Sequence, residues 1–142
     1  MTEIETVGSL FEESLERYKA GEEVANLIPA FKEVCDRAPK SSAAWACLAW
    51  LYMLDNKPSP AYKAAQKAVK LNPQDAQSRV NLALAMLENN TKGVREHIDL
   101  AMQLIMIDDE VRAEIKQSIA DGFTRKPDWK SLERVNQWLF EV

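Results

Sequence analysis

The sequence predicts an all-α chain, an α-solenoid of antiparallel helix pairs with about eight helices. Three observations carry this. Large residues and prolines recur in register: Pro39 and Pro73, Phe11 and Trp45, and Tyr18 and Tyr52 each stand 34 positions apart. Ala61, Ala65 and Ala68 fall at i, i+4 and i+7, one face of a helix whose small side chains let a second helix approach closely. No segment reads as a strand, and four glycines and six prolines poorly supply a strand-and-turn architecture.

Taken in order, the helices are expected near 8–20, 22–37, 42–55, 59–71, 75–88, 92–106, 109–121 and 128–140. In the first pair Phe11 and Tyr18 occupy the large-residue positions, Ser14 replaces a leucine, and Phe31 supplies an aromatic on the second helix. Pro39 stops that pair and Ser41 or Ser42 caps the next helix. The second pair is the most regular: Trp45-x2-Leu48-Ala49-x2-Tyr52, then Ala61-x3-Ala65-x2-Ala68, then Pro73. Its helices are separated at Asn56-Lys57-Pro58-Ser59-Pro60, and those of the third pair at Asn89-Asn90-Thr91-Lys92-Gly93. Leu82, Ala83 and Met86, then Ile98, Ala101 and Leu104, carry the pattern onward with Arg79 in the tryptophan position. Asp108 or Asp109 caps a fourth pair that keeps the helical outline and loses the motif, with Lys116 at a small-residue position. Its last helix follows Pro127, with Asp128 as N-cap, and shows an apolar stripe of Trp129, Leu132, Val135, Trp138 and Leu139. Lys130, Glu133, Arg134 and Gln137 lie opposite. This helix is expected to pack mainly on its predecessor through Val111, Ile115 and Ile119; folding back over Trp50 and Met53 is the rival arrangement.

From Ser42 to Gln74-Asp75 the chain resembles a tetratricopeptide repeat (TPR), whose pattern is W-x2-L-G-x2-Y, A-x3-F and a closing proline. Ala49 for glycine and Ala65 for the aromatic are its departures. The resemblance implies a right-handed solenoid and one domain over 1–142, with repeats at 8–41, 42–75 and 76–108 and a degenerate capping repeat at 109–142.

Charge and composition exclude several function classes. Eighteen Lys and Arg against 22 Asp and Glu leave a formal charge of −4, ill suited to neutralising nucleic-acid phosphates. RNA-reading helical repeats build a basic groove, and this chain does not. Glu3, Glu5, Glu12, Glu13, Glu16, Glu22 and Glu23 crowd the N-terminal end, while Arg125, Lys126, Lys130 and Arg134 gather near the other. No apolar run approaches the ~18 residues of a membrane span, and the acidic start lacks the basic flank of a signal peptide, so a cytoplasmic protein is expected.

Catalytic parts are missing. His97 is the only histidine, which excludes histidine clusters on a metal, and neither a P-loop nor a GxGxxG motif occurs. Cys35 and Cys47 lack metal-ligand or redox spacing and read as reduced thiols packed in helices. The expectation is no enzyme, no cofactor and no metal.

In the TPR family the first helix of each pair lines a concave groove that holds partner peptides or helices. Carried over by position, that groove is lined by Glu12 and Glu16, by Ala46, Cys47, Trp50 and Met53, and by Gln77, Asn81 and Leu84. Trp45 falls on a motif position and reads as core. Trp50 falls outside the motif, so it is either an exposed anchor for a partner or covered by this chain's own C-terminal part. The family's clamp for a C-terminal carboxylate is absent: Glu12 and Glu16 stand where cationic and amide groups belong. An apolar centre with an acidic end instead suits a protein segment with hydrophobic anchors and a basic flank. The resemblance thus implies a non-catalytic adaptor or scaffold, of the kind that serves complex assembly. The alternative is a self-associating subunit whose groove or C-terminal helix meets another copy.

Overall fold

The computed structural model describes residues 6–141; Glu3 and Glu5 of the acidic end, and Val142 at the close of the fourth repeat, lie outside the described residues. Among these residues there are eight α-helices: α1 (Val7–Lys19), α2 (Val24–Arg37), α3 (Ser42–Leu54), α4 (Pro58–Leu71), α5 (Ala76–Glu88), α6 (Val94–Ile107), α7 (Asp109–Arg125) and α8 (Lys130–Phe140). Local chemistry sets most of their ends. Ser41, Asp75 and Asp108 accept from backbone N–H groups in the first turns of α3, α5 and α7. Pro58 opens α4, where its missing N–H costs nothing. The turns within pairs pass through left-handed backbone at Asn56, Asn90 and Gly93. Helix α7 runs on to Arg125, four residues beyond the expected 121; Pro127 then forces Lys126 out of helical geometry and ends it.

Successive helices pack on one another as antiparallel pairs, α3 on α4 most intimately, then α5 on α6. Ala44, Ala49, Ala61, Ala64, Ala65 and Ala68 are buried at these seams. One apolar cluster joins α2, α3 and α4 around Leu27, Phe31, Val34, Leu48 and Leu51, and Phe11 of α1 meets Phe31 edge-on at 6.0 Å. A second runs from Trp50 and Met53 through α5 and α6 to Ile115, Ile119, Trp129, Leu132, Val135 and Leu139.

Four expectations need correction. Trp45 is half-buried and braces a turn, its indole Nε1 donating to Pro39 O at 3.0 Å. Helix α8 leans foremost on α5, then on α6 and α7; Ile115 and Ile119 do join its core, which also reaches Trp50. Trp138 sits at the edge of the α8 stripe, 38% exposed, with the Arg134 guanidinium 5.0 Å above its ring. Asp128 does not cap α8: Trp129 holds that position, and its side chain makes no capping bond.

Candidate concave-face site

Helix α7 starts beside α6, and its C-terminal half crosses the face formed by α1, α3 and α5. The tyrosine of α1 marks how far it reaches. Tyr18 Oη donates to the Asp121 carboxylate and accepts from Trp50 Nε1 at 2.9 Å. Arg125 pairs with Asp121 at 3.0 Å, donates to Tyr18 O at 2.8 Å and lies 3.7 Å from the centre of the Tyr18 ring. Lys126 Nζ donates to Met53 O at 3.1 Å. Burial, with Asp121 accepting its hydrogen bond, raises the Tyr18 pKa above the ordinary phenol range, so the hydroxyl stays a donor. Trp129, beyond the helix, packs against Trp50 with the rings inclined and donates through Nε1 to Glu88 at 2.8 Å.

This crossing divides the expected groove. Trp50, Met53 and Leu84 lie beneath the α7–α8 hairpin, exposed by 8%, 1% and 0%, so the own-chain cover expected as one of two readings of Trp50 is the arrangement present. Ala46, Cys47, Trp50, Gln77 and Asn81 line a cavity of about 180 Å³ left open beside it. Glu12 and Glu16 do not line that cavity; both are exposed on α1, and Glu16 pairs with Lys19 at 3.6 Å. The other walls are Leu15, Tyr18, Phe31, Leu51, Ser118 and Asp121. Sequence reasoning missed these six as site residues. Leu15 lies one helical turn from Glu12, a signal within reach; Ser118 and Asp121 had none, because nothing local says where α7 crosses.

The polar wall groups are held in place. Asn81, 1% exposed, donates to Ala46 O at 3.0 Å and accepts from Gln77 Nε2 at 2.8 Å. Among the described residues no buried side-chain nitrogen or oxygen lacks a hydrogen-bond partner. Burial, with a smaller contribution from Asp75, pushes the Cys47 thiol up to about 12, so it presents a neutral sulfur. Such a wall offers apolar contact.

Among the described residues no three His, Cys, Asp or Glu side chains gather as a metal set, and no helix is long and apolar enough to cross a membrane. His97 is half-buried on α6, its Nδ1 accepting from Arg79 at 2.9 Å.

No family model matches the chain, and no curated protein matches it in sequence. Its fold is similar to that in the crystal structure of the Sgt2 TPR domain from Aspergillus fumigatus, with a TM-score of 0.64 at 18% identity over 90% of this chain and 82% of that one. The likeness establishes a TPR-like fold.

Proposed function

We propose that the chain is a non-catalytic adaptor that holds a segment of a partner protein on its concave face, in the service of complex assembly. The observation that carries this reading is the apolar cavity between α1, α3, α5 and α7, an open recess whose Gln77 and Asn81 walls are tied by hydrogen bonds, on a fold suited to grasping peptides. Because Trp50, Met53 and Leu84 are already covered, the partner contacts the half of the face marked by Leu15, Ala46, Cys47, Gln77 and Asn81.

Affinity capture from the source cell with wild type and Cys47→Arg tests the reading. A bulky cation at Cys47 blocks the cavity, so a protein held there disappears from the captured set. An unchanged set removes the cavity from the proposal. Trp50→Ala is the poorer probe, since it also opens the core under Trp129.

A second reading has its own observation. Met106 and Ile107, at the end of α6, are 77% and 80% exposed, and adjacent apolar residues in such positions favour self-association. Light scattering over a concentration range checks it: a monomer throughout excludes this reading, and a dimer dispersed by Ile107→Lys supports it.

A further inference from the structure

We infer that the partner segment is a short one that inserts a single large apolar side chain into the cavity and carries a lysine or arginine next to it. This rests on the adaptor reading above and adds the chemistry of its partner.

The number of anchors follows from the closed half of the face. An amphipathic helix laid along a groove needs several apolar sockets in line, and the sockets beyond Trp50 are filled by Trp129 and Leu132. The apolar space that remains holds about 180 Å³, enough for one ring, since an apolar cavity of about 150 Å³ accepts benzene; the recess beside it is bordered by Asp75, Asp108 and Glu114 and is no apolar socket. Its character follows from its walls. Leu15, Phe31, Trp50 and Leu51 are apolar, while Tyr18, Asp121, Gln77 and Asn81 are already engaged in the hydrogen bonds described. An apolar group therefore enters without breaking any of these hydrogen bonds.

The charge follows from the rim. Glu12 stands one turn from Leu15 on α1, and Glu114 one turn from Ser118 on α7; both are exposed and neither is in an ion pair. Glu114 also borders, with Asp75, the recess that adjoins the cavity at Gln77 and Ser118. Of the cations by the cavity, Arg125 is committed to Asp121 and Tyr18, and Lys19, one turn from Leu15 on α1, is paired with Glu16. Carboxylates thus flank an apolar socket from two sides, which draws in a basic flank and repels an acidic one.

The test uses three acetylated and amidated pentapeptides on the full chain: Ala-Lys-Phe-Lys-Ala, Ala-Lys-Ala-Lys-Ala and Ala-Glu-Phe-Glu-Ala. The readout is the amide shift of Cys47, Gln77 and Asn81 in nitrogen–proton NMR spectra. Saturable shifts are expected with the first peptide, with affinity at least about tenfold lower for each of the others and falling as salt rises. Cys47→Leu, which fills the socket, should abolish the shifts. Glu12→Lys with Glu114→Lys, a pair of surface changes that leaves the core intact, should weaken the first peptide and strengthen the third. Shifts that ignore the phenylalanine or the sign of the flank overturn the inference, as do shifts confined to another surface or no shift at all. If the peptides fail while Cys47→Arg still loses a captured protein, the adaptor reading stands and this partner chemistry falls.

Discussion

The indole rings of Trp50 and Trp129 lie 5.2 Å apart, centre to centre, inclined at 52°. The first belongs to α3 and the second caps α8, so this pair fastens the C-terminal hairpin to the middle of the concave face. Each indole N–H has its own acceptor, Tyr18 Oη for Trp50 and Glu88 for Trp129. Packed rings with satisfied polar ends combine a large buried area with a fixed geometry.

Trp129→Ala is therefore expected to cost about 3–5 kcal/mol, the usual range for emptying a buried tryptophan site. Urea unfolding measures it through a lower midpoint. Deleting residues 127–142 removes α8 as well and should lower the melting temperature further, because Met53, Leu84 and Trp50 all become wet.

Gly122→Ala should destabilise, although alanine normally favours a helix over glycine by about 1 kcal/mol. A Cβ at that position would stand 2.7 Å from Leu132 Cδ2 and 3.1 Å from two atoms of the Trp50 ring. The leucine is wholly buried and the indole is held by Tyr18, so neither yields easily. A loss of about 1–3 kcal/mol is expected from this overpacking, read from the same urea midpoint; a gain would mean that Leu132 finds room to turn.

Tyr18→Phe keeps the ring under Arg125 and removes the hydroxyl between Asp121 and Trp50. The buried indole N–H then lacks its acceptor, at a cost of about 1–3 kcal/mol. Combining it with Asp121→Ala in a double-mutant cycle should give less than the sum of the single effects, since both remove the bond between Tyr18 and Asp121.

His97 gives the stability a pH dependence. Burial first, and the neighbouring Arg79 cation second, lower its pKa below the ordinary 6.5, while Glu96 opposes them. The folded chain thus binds this proton less readily than the unfolded chain. The stabilisation is complete above the unfolded pKa and is lost as pH falls through the folded one. Melting curves below pH 6.5 should show a decline that His97→Gln, whose amide oxygen also accepts from Arg79, makes shallower.

Both thiols should resist alkylation. Burial is the main reason that Cys35 and Cys47 are each raised to about 12. At pH 8 the thiolate fraction is then about a thousandfold below that of the unfolded chain. Iodoacetamide should label neither quickly until denaturant is added; rapid native labelling of Cys47 would show a wetter cavity.

The helices were legible because their signals are local. Ser41 and Asp108 cap, Pro39 and Pro73 follow helix ends, and Ala61, Ala65 and Ala68 share one face. Ala46, Cys47, Gln77 and Asn81 could be assigned to the concave side for the same reason, since position along a helix fixes direction around it. What escaped depends on how distant elements meet. Nothing near Asp121 or Arg125 announces Tyr18, and nothing near Trp50 announces Trp129. Trp138 shows a subtler limit. It and Leu139 are neighbours about 100° apart around α8, both apolar, and only the position of α5 and α6 decides that leucine goes inward.

A stack of helical repeats ordinarily behaves as a line, each unit touching only its neighbours, so that ends fray and arrays lengthen by copying a unit. The grip of Arg125 on Tyr18 turns that line into a loop, joining the first helix to the seventh. Another pair inserted between them would carry the arginine away from the tyrosine, and Trp129 away from Trp50. The stretch from α1 to α7 is thereby committed to its present number of helix pairs: duplicating a unit within it would undo the bonds that close it.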